Sequence, residues 1–163
     1  MIARLGLIAF LVASPAALLA SSSPAWAQAP GVSSPRPMST RAQHRVVIQV
    51  SENDPKVMNL ALNNAENLTR FYEQAGETVQ IEIVAYGPGL NMVRSDTSPV
   101  RERIAALSGS LQHLTVSGCG NTLSTQSTQE GRAITLLPQA HLVPTGIARI
   151  VELQEQGWTY IRP

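Results

Sequence analysis

The sequence predicts an α/β fold: a doubly wound, mostly parallel five-stranded sheet with helices on both faces. Three observations carry this. Strand-like and helix-like segments alternate from residue 44 to the C-terminus. The first strand is a continuous β-branched run, as in a strand buried on both faces. The helical segments are punctuated by capping residues at their starts (Asp54, Ser98, Thr145) and by Gly76, Gly109 and Gly157 at their ends.

The elements follow in order. His44–Val50 contains Val46, Val47, Ile48 and Val50 and reads as a buried strand. Asp54 then caps a helix with Pro55 at its first position. Val57, Leu60, Ala61, Ala65, Leu68, Phe71, Tyr72 and Ala75 recur at spacings of three and four and form its apolar face. Thr78–Tyr86 is the second strand. Its alternation of Val79, Ile81 and Ile83 with Gln80 and Glu82 means that one face, or an edge, meets solvent. It stops at Gly87-Pro88-Gly89, and Leu90–Val93 is apolar without a decisive pattern. Ser98-Pro99 opens a short helix with Val100, Ile104 and Leu107 inward.

Leu111–Val116 is the third strand and leads into Ser117-Gly118-Cys119-Gly120-Asn121. Thr122–Glu130 is almost entirely Ser, Thr and Gln, so neither propensity nor periodicity supports the helix that the alternation asks for there. Ala133–Leu137 is a helical turn or a loop. His141–Val143 is a fourth strand. Thr145 caps a last helix with Ile147, Ile150, Val151 and Leu153 as its apolar positions, and Trp158–Ile161 is the fifth strand.

The N-terminus has a different character. Arg4, an apolar run from Leu5 to Ala20, and Ala25-Trp26-Ala27 have the three-part form of a secretory signal peptide over residues 1–27, cut after Ala27. The run is broken by Ser14 and Pro15 and is shorter than the roughly 20 residues of a membrane span. Export to the periplasm, with no membrane segment in the mature form, is therefore expected. Residues 28–43, rich in Pro, Ser and Ala, read as a disordered linker, and residues 44–163 as one domain.

The chain carries 12 basic and 11 acidic residues. Loss of Arg4 with the leader leaves it formally neutral, which gives no electrostatic case for nucleic acid. A single cysteine excludes an intramolecular disulfide framework. No His/Cys/Asp spacing suggests a metal and no motif suggests a cofactor, so none is expected.

In doubly wound folds ligands meet the carboxyl ends of the strands. Those ends carry Asn53, Tyr86 and Gly87, Gly118 to Thr122, and Thr145, which are the candidate pocket-lining or anion-binding residues. Cys119 is the strong nucleophile among them and the candidate catalytic residue. Gly118 and Gly120 would let the backbone turn sharply and leave the sulfur uncrowded. Free amides of Gly120 and Asn121 at a helix start would favour the thiolate. The alternative is a buried, inert cysteine serving as a small hydrophobe. His44 and His141 are expected at the end of the sheet opposite Cys119, and His113 inside the third strand, none of them a base for the thiol.

The chain resembles the DsrE/DsrF-like family of sulfur-relay proteins. The likeness rests on HRVVIQV (His44–Val50) with Asp54-Pro55 and Asn63-Asn64, on VAYGPGL (Val84–Leu90), on GCGNTL (Gly118–Leu123) and on Val143–Pro163, and it spans His44 to Pro163. It implies a five-stranded parallel sheet, commonly assembled as homo-oligomers. It also implies that the cysteine after the third strand, here Cys119, accepts sulfane sulfur as a persulfide and passes it to a partner thiol. Well-studied members act in the cytoplasm, some with partner subunits, whereas this chain opens on an export-type segment. Two functions are thus expected from different classes. One is an exported sulfur carrier or sulfurtransferase-like protein with unknown donor and acceptor. The other is a non-catalytic ligand-binding or oligomeric assembly module.

Overall fold

The structure, a computed structural model, describes residues 43–163. The expected signal peptide, its cut after Ala27 and the linker up to residue 42 lie outside the described residues. The linker's last expected residue, Gln43, already belongs to the first strand.

The described chain runs β1 (Gln43–Val50), α1 (Pro55–Gln74), β2 (Thr78–Ala85), a 3-10 helix (Gly87–Val93), α2 (Arg101–Ser110), β3 (Leu114–Cys119), α3 (Gly120–Glu130), β4 (Ala140–Val143), α4 (Gly146–Glu155) and β5 (Thr159–Ile161). The five strands pair in the order β4-β3-β2-β1-β5, every pair parallel. This is the doubly wound α/β fold that the sequence predicts. The central strand is β2, so its alternation marks a polar face and not an edge.

Helix α1 starts as its sequence dictates: Asp54 accepts a hydrogen bond from the Lys56 amide at 2.8 Å, and Pro55 follows. Its buried stripe is Met58, Ala61, Leu62 and Ala65, while Leu60 and Phe71 of the expected face are exposed. Helix α2 begins two residues after Pro99, because Ser98 turns its hydroxyl to the Met92 carbonyl and receives the Val100 amide; it also runs through Gly109. β3 begins at Leu114, since Leu111 closes α2 instead of opening a strand. The apolar Leu90–Val93 segment completes the 3-10 helix, and Ala133–Leu137 is a loop that buries Ile134 and Leu137.

The two faces of the sheet are covered unequally. On one, Val46, Ile48, Val50, Ile81, Ile83 and Val116 meet α1, α2 and the 3-10 helix, with Leu123 of α3 packed against the same cluster. On the other, Val47 and Val84 meet Ile150 and Leu153, so among the described residues α4 is the helix that covers it. The connections leaving β3 and its neighbour β4 therefore depart to opposite faces. That arrangement opens a crevice at the carboxyl ends of the two strands, where such folds place ligands.

The last turn of α3 is tied to the end of the 3-10 helix by a charged cluster. Buried Arg94 donates to Asp96 at 3.0 and 2.8 Å and to Glu130 at 2.6 and 3.1 Å, and Arg132 also reaches both carboxylates. Hydrogen bonds from Arg94 and Arg132 hold the Asp96 carboxyl well below the usual range. A carboxyl whose folded value is depressed contributes stability above its ordinary value and loses it as pH falls through the folded one. The urea midpoint is therefore expected to fall from about pH 5 to about pH 3. In Asp96→Asn that fall should be shallower; an identical slope would show that the cluster is not coupled to folding.

Candidate functional site

β3 ends on Cys119, and α3 begins on the next residue, so Cys119 is itself the N-cap of α3 with extended backbone (φ −72°, ψ 118°). Its sulfur accepts from the Thr122 amide at 3.5 Å, the place an oxygen would take in an ordinary cap. The helix that sequence pattern barely supports is eleven residues long and stops at left-handed Gly131. Its free amides and positive dipole end face the sulfur.

A second helix start converges on the same atom. β4 pairs with β3 in a register that sets Val143 beside Cys119. Pro144 and Thr145 then carry the chain to Gly146, the first residue of α4, whose amide also points at the sulfur. The two loops are stitched together: the Asn121 amide donates to the Pro144 carbonyl at 3.1 Å, and the Asn121 side chain donates to the Thr145 hydroxyl at 2.9 Å. Thr145 thus serves the loop contact and makes no side-chain cap on α4.

Burial by itself pushes the Cys119 thiol up. The Thr122 hydroxyl and the amides of Gly146, Thr122 and Asn121 outweigh it, and the thiol ionises below its ordinary value. Asn121 contributes least, since its amide is engaged by Pro144. The donors are Thr122, Gly146 and Asn121; of the expected pair, Asn121 is among them and Gly120 is not. The sulfur is less open than the sequence suggests: Cys119 is 4% exposed, although its surroundings are amides and a hydroxyl and not only aliphatic side chains.

The flanking glycines act through space and not through turn geometry; neither has a positive φ. A Cβ on Gly118 would lie 2.9 Å from Leu136 Cδ1, and one on Gly120 would lie 3.2 Å from the Val143 carbonyl oxygen. Gly146 is the tighter case. A Cβ there would sit 2.8 Å from Tyr86 Cβ and 3.2 Å from Cys119 Cβ. Gly146→Ala is expected to cost about 1–3 kcal/mol through forced displacement of α4 and to raise the thiol's ionisation midpoint. A urea titration and alkylation against pH check both, and an unchanged protein would mean that α4 is not seated on the sulfur.

Of the other sequence candidates, Tyr86 lies across Gly146 from the thiol, and burial and Tyr160 hold its hydroxyl above the ordinary value. Gly87 (φ +55°) donates its amide to the Thr122 hydroxyl at 3.0 Å. Asn53 is not brought to the sulfur; it accepts from Asn91 at 2.8 Å. His44 bonds Glu77 at 2.8 Å, and His113 lies exposed just before β3 instead of inside it. His141 departs from expectation: β4 is so short that it pairs with Ser117, two residues before Cys119, and not at the far end of the sheet. No histidine has a hydrogen bond to the sulfur among the described residues.

A cleft of about 400 Å³ opens between α3 and the 3-10 helix, lined by Gly87, Pro88, Asn121, Thr122, Thr125, Gln126 and Gln129 and not by Cys119 itself. None of these residues carries a charged side chain. A larger cleft of about 500 Å³ follows the α4 face and is lined by Glu82, His113, Ser117, His141, Arg149 and Trp158 among others. Among the described residues no three His, Cys, Asp or Glu side chains gather so as to hold a metal ion. Sequence reasoning places Gly146 at a strand end but gives it no role, and it misses Gln126 and Arg94; the spacing Thr122, Gln126, Glu130 at i, i+4, i+8 is the signal that could have found Gln126.

No family model matches the chain, and no curated protein matches it. Among solved structures it is similar to the protein of unknown function MTH1491 from Methanobacterium thermoautotrophicum, with 34% sequence identity and a TM-score of 0.63 over 74% of this chain and 99% of that one.

Proposed function

We propose that this chain, which belongs to the same family as the methanobacterial protein MTH1491, is a thiol-based sulfur carrier that holds sulfane sulfur as a persulfide on Cys119. The observation that carries the reading is the seat of the Cys119 sulfur at the start of α3, where it accepts from the Thr122 amide at 3.5 Å, with the start of α4 packed on the same residue. Such a setting favours an anion, and the thiolate is the form of cysteine that attacks sulfur. The likeness to sulfur-relay proteins around GCGNTL supports the same chemistry.

The transfer is written as two displacements. The Cys119 thiolate attacks the terminal sulfur of a donor persulfide or polysulfide; the new S–S bond forms as the donor's S–S bond breaks, and the donor leaves as a thiolate. An acceptor thiolate then attacks the outer sulfur of the Cys119 persulfide, takes it, and releases the Cys119 thiolate. There is no net oxidation. With one cysteine in the chain, the acceptor is another molecule. The same donors would hold the negative charge of the persulfide. On this reading the carrier works after export, in the periplasm, as a homo-oligomer.

The test is alkylation of the folded protein by iodoacetamide across pH, with intact mass after exposure to inorganic polysulfide. The expected midpoint lies below the free-cysteine value of about 8.5, and the expected mass shows one added sulfur that a small thiol removes. A thiol left unlabelled until the chain unfolds would replace this reading with the non-catalytic binding or assembly module.

A further inference from the structure

We infer that Arg94 is a positioning residue for Cys119, acting through Gln126, the Gly87 backbone and Thr122. This rests on the carrier reading of Cys119 and adds to it the device that orients the thiol's donor.

The four links are on one line. Arg94 Nη1 donates to Gln126 Oε1 at 3.1 Å. Gln126 Nε2 donates to the Gly87 carbonyl at 3.3 Å. The Gly87 amide donates to Thr122 Oγ1 at 3.0 Å. Thr122, so held by its side chain, donates its backbone amide to the sulfur at 3.5 Å. Every bond donates toward Cys119. The orientation of the Gln126 amide is forced, because Arg94 offers donors alone and the Gly87 carbonyl only accepts.

The start of this line is rigid. All five N–H groups of the guanidinium are engaged: with Asp96 through Nε and Nη2, with Glu130 through both Nη atoms, and with Gln126. Two carboxylates balance the arginine's charge, so what it transmits is orientation and polarisation along the chain of bonds, not a bare field. Helix geometry makes the line possible, since Thr122, Gln126 and Glu130 share one stripe of α3.

The ionisable groups around the thiol are otherwise committed. Tyr86 faces it across Gly146 and stays neutral. Arg149, one turn along α4, is bound to Glu82 of β2. β4 sets Val143 beside the thiol and His141 beside Ser117, with no hydrogen bond from His141 to the sulfur, and the first ionisable group on α3 is Glu130, held by Arg94.

The test is the alkylation rate of Cys119 by iodoacetamide against pH in the full chain, compared with Gln126→Leu, Thr122→Val and the double variant. Gln126→Leu keeps the Arg94 ion pairs and breaks the line. It is expected to raise the thiol midpoint and slow labelling at neutral pH by about threefold, roughly half a pH unit. In the Thr122→Val background the same change should do nothing further, because the link from the Gly87 amide to the Thr122 hydroxyl is already gone. An unmoved midpoint, or an equal shift in both backgrounds, overturns the inference. If Gln126→Leu does not fold, Gln126→Glu is judged by the same comparison, since it still accepts from Arg94 but cannot donate to Gly87. A wild-type midpoint at or above about 8.5 would instead overturn the carrier reading.

Discussion

Cys119→Ser is expected to abolish persulfide loading completely while leaving the protein as stable as before to within about 1 kcal/mol. The two halves of this result have separate physical origins. Serine is a preferred N-cap, and its oxygen would accept from the Thr122 amide in the geometry that the sulfur now occupies at 3.5 Å. The site is small and already lined by hydrogen-bond donors, so the hydroxyl is not stranded there. A hydroxyl does not attack sulfane sulfur, so the added mass seen after polysulfide treatment should vanish. By capping propensity alone serine would be the better residue at position 119, and the thiol has to be accounted for by its reactivity. The measurement is intact mass beside a urea titration. A Cys119→Ser variant that still gains one sulfur would move the chemistry away from this residue altogether.

The fold is legible because its evidence is redundant. A β-branched run at Val46–Val50, an Asp54-Pro55 helix start and glycine stops all point the same way, and a shift of a residue or two in any one leaves the topology intact. Detail fails where two solutions share one period. The expected face shares Ala61 and Ala65 with the buried stripe of α1 but takes Leu60 and Phe71, which are exposed, in place of Met58 and Leu62. Only packing on the sheet decides between them. Sequence pattern starts β3 three residues early because Leu111 is apolar enough to open a strand, yet it is spent closing α2.

The site is half legible for a different reason. Cys119, Thr122, Tyr86, Gly87 and Thr145 all stand at the rim, as expected, because strand ends can be read from sequence. Helix α3 is nearly invisible because Leu123 is its one apolar contact with the core, and the rest of its half-buried face, Thr122, Gln126 and Ser127, is polar and satisfied by Gly87, Arg94 and the Ile134 amide. Hydrophobic periodicity has no means of seeing a helix that docks by hydrogen bonds. Gly118 and Gly120 draw notice for a flexibility they do not use. Their absent side chains make room for Leu136 and for the Val143–Pro144 backbone, which only the assembled sheet reveals.

Arg149→Met is expected to remove about 3–5 kcal/mol of stability, a large share of the roughly 5–15 kcal/mol that holds a domain of this kind together. Glu82 stands at the centre of the sheet and is 3% exposed. Its carboxylate receives Arg149 at 3.0 and 2.8 Å and the Ser117 hydroxyl at 2.8 Å. Without the guanidinium it keeps a single neutral donor, and a buried charge so served must protonate, draw in water or unfold its surroundings. Glu82→Leu combined with Arg149→Met should recover much of the loss, because replacing both members of a buried pair costs far less than orphaning one. A second effect should accompany the first. Arg149 lies one turn after Gly146, so the ion pair also seats the start of α4 on the sheet and holds the Gly146 amide against the Cys119 sulfur. The thiol of Arg149→Met should therefore ionise at a higher pH than that of the wild type under conditions where both remain folded. A single variant that loses less than about 1 kcal/mol, the range of an exposed pair, would show that water reaches Glu82, and the account of α4 as the clamp on the thiol would go with it.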